Sequence, residues 1–194
     1  MNQTSGFDGI STNARVPSVY LTYEELEREC RFERLRRSGP GGQNRNKVET
    51  AARFYHKPTG LVGEASERRR QIENRKAALE RLRLLIALSS RNAITLVEDD
   101  SGALVLPSER ARSMRWFERV VDGKIRASAN SFDYAILVSE FFDVYEATNE
   151  DLALTVVLLK TTASQITRLL AARPRALETL NCARQKRGLS RLKS

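Results

Sequence analysis

The sequence predicts an α+β fold: a small mixed or antiparallel sheet packed on a long helix, followed by an α-helical C-terminal module and a basic tail. Three observations carry this. Strand-like runs at 50–56 and 61–65 flank the turn Lys57-Pro58-Thr59-Gly60. A helix-period segment follows, with Ile72, Leu79, Leu82 and Ile86 spaced to pack on the sheet. Charge then divides the chain: residues 28–91 hold 17 Lys or Arg against 7 Asp or Glu, whereas residues 127–159 hold no Lys or Arg and 6 acids.

Residues 1–17 are rich in Asn, Ser, Thr and Gly and read as a flexible arm. In the segment 18–90, Thr22 is placed to cap a short helix through Cys30, with Glu24 and Glu25 in its first turn. Phe32–Arg36 reads as a strand, broken by Ser38-Gly39-Pro40-Gly41-Gly42. Ser66, followed by Glu67, reads as the N-cap of a helix that runs to about Leu88. Residues 91–126 form a linker, with a hairpin of Ile94–Val97 and Ala103–Leu106 around Asp99-Asp100-Ser101-Gly102.

The module 127–183 reads as four helices: Phe132–Ala147, Glu150–Leu159 after Asn149 as cap, Ala163–Ala172, and Pro174–Arg184 with Pro at its first position. Phe132, Tyr134, Ile136, Leu137, Phe141, Phe142 and Val144 read as core, and Asp133, Glu140, Asp143 and Glu146 as the solvated face. Trp116 and Phe117 read as packing anchors of the linker, with stacking on RNA as the other reading. Val156, Ile166 and Leu169 fall near the apolar positions of a helix-turn-helix. Lys160 stands where such a turn needs a small residue, so a packing module is expected rather than a DNA reader. Residues 184–194 are a basic tail, with five cations and no acid between Arg184 and Lys193.

The chain has 194 residues, 41% hydrophobic and 29% charged, with a net charge of +9, which favours a polyanionic partner. A membrane is not expected, since the longest apolar run, Leu152–Leu159, is too short to span one. Cys30 and Cys182 form neither a metal spacing nor a disulfide framework, which favours a reducing cytoplasm. The single histidine, His56, leaves little for His-based metal sites. No cofactor and no metal are expected.

The stretch Ser38-Gly39-Pro40-Gly41-Gly42-Gln43-Asn44-Arg45-Asn46-Lys47 stands apart. Adjacent glycines allow positive φ and close backbone approach to a substrate. Arg36, Arg37, Arg45, Lys47 and Arg53 surround it, with Glu49 opposing. Composition alone also allows a plain turn. A nucleotide P-loop is disfavoured by the lack of its Gly-Lys-Ser/Thr ending. Glutamine is a poor general base, so ordinary acid–base catalysis is not implied.

The wider pattern decides between these. Ser38 to Gln43, Asn46-Lys47, Thr50-Ala51, Arg53, His56, Pro58-Thr59-Gly60, then Arg69, Gln71 and Asn74, resemble the GGQ catalytic domain of class I peptide-chain release factors. The chain is most similar to the small stand-alone GGQ proteins that rescue stalled ribosomes, over about residues 18–90. It departs from the pattern at Arg45, where an apolar residue is usual, and at Arg70, where serine is common.

The resemblance implies codon-independent hydrolysis of the peptidyl-tRNA ester in the peptidyl-transferase centre, with Gly41, Gly42 and Gln43 catalytic. The Gln43 backbone N–H would stabilise charge at the reacting centre or on the leaving 3′ oxygen, and its side chain, often methylated in the family, would help place the water. Partners would be the ribosome, through its rRNA, and P-site peptidyl-tRNA, with the protein a monomer. RNA contacts would come from Arg36, Arg37, Ser38, Arg45, Asn46, Lys47, Arg53, His56 and Arg69. Arg184, Lys186, Arg187, Arg191 and Lys193 would add a tail of the kind that fills an empty mRNA channel. His56, at a strand end, is expected to brace a turn or touch RNA rather than act as a base. No segment resembles stop-codon recognition tripeptides. The competing reading is a non-catalytic ribosome- or RNA-binding protein that keeps the fold.

Overall fold

A computed structural model describes residues 16–35 and 50–193. The arm 1–15 and the loop 36–49 lie outside these described residues. A 3-10 turn at Ser18–Tyr20 leads into α1, Tyr23–Arg28. Thr22 caps α1 through a reciprocal pair: its Oγ1 accepts from the Glu25 N–H at 3.2 Å, and the Glu25 carboxylate accepts from the Thr22 N–H at 2.9 Å. Strands β1 (Cys30–Leu35), β2 (Ala51–His56) and β3 (Val62–Ala65) form an antiparallel sheet in chain order. Phe32 stands opposite Phe54, their rings 4.8 Å apart, and Arg53 stands opposite Glu64.

Helix α2, Gln71–Ser89, crosses this sheet. Leu79, Leu82 and Ile86 are buried with Ala52, Phe54 and Ala65, as their spacing predicts, and Ala78 joins them, but Ile72 is 69% exposed. The helix also starts later than expected. Ser66 caps nothing; Glu67 accepts from the Ser66 N–H and pairs with Arg81 instead. The segment 66–70 is held by the buried Asn74 side chain, which accepts from the Arg68 N–H at 2.8 Å and donates to the carbonyls of Arg68 and Thr50.

The linker forms the expected hairpin, reduced to β4 (Val97–Glu98) and β5 (Leu104–Val105), with Asp99 accepting from Ser101 and Ala103 across its turn. Helices α3 (Ser108–Ser113) and α4 (Trp116–Arg119) follow. A second hairpin then pairs β6 (Val120–Val121) with β7 (Lys124–Ile125). Asp122 and Gly123 both take positive φ, the backbone that a two-residue turn of matching twist needs. Trp116 is fully buried and donates its indole N–H to the Leu159 carbonyl, so it anchors the linker by packing.

The four expected helices appear as α5 (Asp133–Ala147), α6 (Leu152–Leu158), α7 (Ala163–Ala171) and α8 (Pro174–Lys186). Asp151, not Asn149, caps α6; Asn149 and Glu150 take positive φ in the preceding turn. Lys160 does the same between α6 and α7, at the place where the sequence lacks a small residue. α5 packs against α2, and one hydrophobic cluster runs from Val19 and Phe54 through Leu82 and Trp116 to Leu180.

The acids of α5 correct the expected solvated face. Glu140 is fully buried, Asp143 and Asp133 nearly so, and only Glu146 is exposed. Glu140 accepts from the Tyr20 hydroxyl at 2.8 Å and from the backbone N–H groups of Arg115 and Trp116 at 2.8 and 2.7 Å. Asp143 accepts from the Asn92 backbone and side chain, both at 2.9 Å, with Arg110 3.5 Å away. Asp133 pairs with Arg119. Burial pushes the Glu140 and Asp143 carboxyls above the usual carboxylate range against the pull of these donors. The acids share one helix face because of their spacing, but the segments at 18–20, 92, 110 and 115–116 cover that face.

The basic tail folds back on α8. Asn181 donates to the Leu192 carbonyl at 3.1 Å and accepts from its N–H at 2.7 Å. Arg184 donates to the Ser190 carbonyl, Arg187 to the Asn149 carbonyl, and Arg191 pairs with Glu178.

Two outcomes follow from this packing. A Cβ at Gly63 would lie 2.3 Å from the Ala78 carbonyl and 2.5 Å from Leu82 Cβ. Gly63→Ala therefore forces strand and helix apart and should cost about 3 kcal/mol, read as a lowered melting temperature. Deleting residues 188–194 should also lower the melting temperature, since it strips the buried Asn181 side chain of both Leu192 bonds; an unchanged melting curve would show the segment to be thermodynamically detached.

Candidate functional site

Leu35 pairs with Ala51, the last register pair between β1 and β2. The segment 36–49 therefore leaves and re-enters the sheet at one hairpin end. Gly41, Gly42, Gln43, Arg36, Arg37, Ser38, Arg45, Asn46 and Lys47 all lie in it, outside the described residues. The frame that carries the segment is well defined. Ala51 and Ala52 are buried, Ala52 in the cluster that includes α2, and Asn74 Nδ2 bonds the Thr50 carbonyl at 2.7 Å. Asn74 thus ties the re-entry point of the loop to the start of α2. Its place in the sequence pattern was visible, but its role needed the coordinates.

Arg53 is half-buried and committed within the sheet. Its guanidinium bonds Glu64 at 2.7 and 2.8 Å and the Tyr55 hydroxyl at 3.0 Å. Both partners hold its pKa above the ordinary value. Arg31 lies 4.5 Å from the Tyr55 ring centroid, and Arg75 lies 4.7 Å from that of Phe32 while pairing with Glu27. The hairpin is therefore framed by arginines that are largely neutralised or stacked. Arg69, just before α2, is exposed.

His56 corrects one half of its expected role. It is fully buried, with Nδ1 2.7 Å from Thr59 Oγ1 and Nε2 2.9 Å from Glu29 Oε2. Its ring braces the turn 57–60 against α1, and with no exposed surface it cannot contact RNA. Cys30 is equally inert as a nucleophile: burial, with Glu29 and Glu27 nearby, pushes its thiol up to about 11. Of the tail cations, Arg184, Arg187 and Arg191 bond to neighbouring protein groups, and Lys186, Arg187, Arg191 and Lys193 are exposed. Among the described residues no group of His, Cys, Asp or Glu could hold a metal ion, and no helix is long and apolar enough to cross a membrane.

His56→Ala removes two buried hydrogen bonds and leaves a cavity, so it should cost about 2–4 kcal/mol in thermal unfolding. An unchanged unfolding midpoint would show that the ring does not brace the turn.

The family model described as "RF-1 domain" matches residues 22–115, which contain the whole frame just described. Similar proteins include peptide chain release factor 1 of Corynebacterium efficiens, 34% identical over 149 residues, covering 71% of this chain and 41% of that protein. Peptide chain release factor 1 of Leuconostoc citreum is 34% identical over 132 residues, covering 66% and 37%. That of Chlorobaculum tepidum is 44% identical over 79 residues, covering 38% and 22%. The chain thus spans less than half the length of these relatives. No solved structure matches. A three-stranded sheet under a long helix, with Gly41-Gly42-Gln43 between its first two strands in the sequence, agrees with the match of residues 22–115 to the RF-1 domain and with the likeness to release factors.

Proposed function

We propose that this chain hydrolyses the ester of P-site peptidyl-tRNA on stalled ribosomes, in the cytoplasm and without reading a codon. The observation that carries this reading is Gly41-Gly42-Gln43 within an RF-1 domain, between strands whose ends are paired at Leu35 and Ala51. Arg36, Arg37, Ser38, Arg45, Asn46 and Lys47 flank the tripeptide and suit the phosphates of rRNA and the tRNA 3′ end.

Water attacks the ester carbonyl carbon, the carbonyl oxygen takes up negative charge, and the bond to the ribose 3′ oxygen breaks. The Gln43 backbone N–H donates to the oxygen on which charge develops. A fixed donor of this kind in a dry site is worth about 3–4 kcal/mol in the transition state. The two glycines permit the backbone to come within reach, and ribosome and tRNA supply the remaining positioning. Neither His56, which is buried in the turn, nor Cys30, with its raised thiol, is needed.

Gly42→Ala should lower single-turnover release from ribosomes stalled on truncated mRNA by about tenfold or more, with ribosome binding nearly intact, because the lost interaction belongs to the transition state. Gln43→Ala should be milder, since the backbone N–H survives. The wild-type chain should release equally from truncated complexes ending in sense or stop codons. Release confined to stop codons would overturn the rescue reading, and binding without release would favour a non-catalytic ribosome-binding protein.

A further inference from the structure

A cleft of about 340 Å³ opens between α2 and the start of α5, where the RF-1 domain meets the helical module. This is a volume suited to one small-molecule-sized group. Its aromatic wall is Phe132, which stays 37% exposed although Arg83 lies 3.5 Å from its ring centroid and Tyr23 meets it edge-on at 5.8 Å. Its basic residues are Arg68, Arg81, Arg83 and Arg173.

The charge there is not balanced. Arg81 pairs with Glu67, which removes one of the two acids that line the cleft and leaves Glu80. Arg173 donates to the Ala129 carbonyl and to Asn130 Oδ1, both neutral acceptors. Arg83 donates Nε–H to the Val19 carbonyl at 2.8 Å, while its Nη1 and Nη2 have no hydrogen-bond partner among the described residues, although the side chain is 1% exposed. This buried guanidinium lies over the π-face of Phe132 and adds positive charge beneath the ring, with Asp133 the carboxylate that acts on it.

We propose that this cleft takes one unpaired nucleotide of single-stranded RNA, its base stacked on Phe132 and its phosphate against Arg173 and Arg68. An exposed ring beside surplus arginines is the pairing that single-stranded RNA recognition uses, because every base has a π-face and every linkage a charge. The charge excess disfavours a basic partner, and the ring gives a plain anion nothing to match. The site lies where the module outside the RF-1 match meets the domain, so it gives that module a role on RNA that the catalytic loop does not supply.

The test uses the full chain, no ribosome, and a short oligoadenylate carrying 2-aminopurine, whose fluorescence falls on stacking. The wild-type chain should quench it on binding. Phe132→Leu keeps apolar bulk against Tyr23 and should weaken the quenching by about fivefold or more at matched folded fraction. Phe132→Tyr should retain the quenching, and Arg173→Gln should weaken binding and flatten its salt dependence. Equal quenching by wild type and Phe132→Leu, or RNA binding seen by anisotropy without quenching, would overturn the proposal. So would displacement by an equal concentration of adenosine monophosphate, which would mark a site for the free nucleotide. Since no ribosome is present, failure here leaves the release reading intact, and a chain inactive in release would leave this site standing.

Discussion

Glu140 sits at the centre of α5 with no exposed surface and takes hydrogen bonds from Tyr20, Arg115 and Trp116. These donors come from the entry to the domain and from the linker, so one carboxylate ties two segments to α5 at once. Asp143 extends the arrangement by one helical turn to Asn92 and Arg110. A buried carboxylate is tolerated only when such donors surround it, and losing it would strand two backbone N–H groups in a dry interior. The helical module is therefore keyed to the RF-1 domain by polar contacts of fixed geometry, on top of the apolar packing of α5 on α2. Apolar packing alone tolerates sliding; directed hydrogen bonds to backbone N–H groups do not.

That keying gives α2 two faces to serve. One presses on the sheet so closely that only glycine fits at residue 63, and the other meets α5. The helix start is tied through Asn74 to Thr50, the residue where the chain returns from the 36–49 segment. A continuous path of packed backbone thus runs from the helical module through α2 to the base of the loop.

The arginines divide into two populations. Arg53, Arg75, Arg119 and Arg191 are bound to carboxylates, Arg31 and Arg83 lie over rings, and Arg184 and Arg187 cap carbonyls. Arginine suits these tasks because its planar fork can bond and stack together. These arginines serve the protein's own structure rather than a phosphate. Other cations are exposed, among them Arg34, Lys57, Arg68, Arg69, Arg70, Lys76, Arg126, Lys186 and Lys193.

Local patterns carried much of this in the sequence itself. The Thr22 capping box, the turn at Lys57 to Gly60, the apolar period of Leu79, Leu82 and Ile86, and Pro174 at a helix start depend on neighbours a few residues away, and each is in place. The Gly41-Gly42-Gln43 pattern was readable for the same reason, and it located the RF-1 domain. Tertiary structure decided what depends on partners distant along the chain. Asp133, Glu140 and Asp143 carry the spacing of a solvated face, yet Tyr20, 120 residues before Glu140, covers it. Ser66 reads as a cap until Asn74 takes the loop's hydrogen bonds, and the tail reads as free until Asn181 and Glu178 bind it. Periodicity reports which residues share a face; what comes to lie on that face is set only when the chain closes on itself.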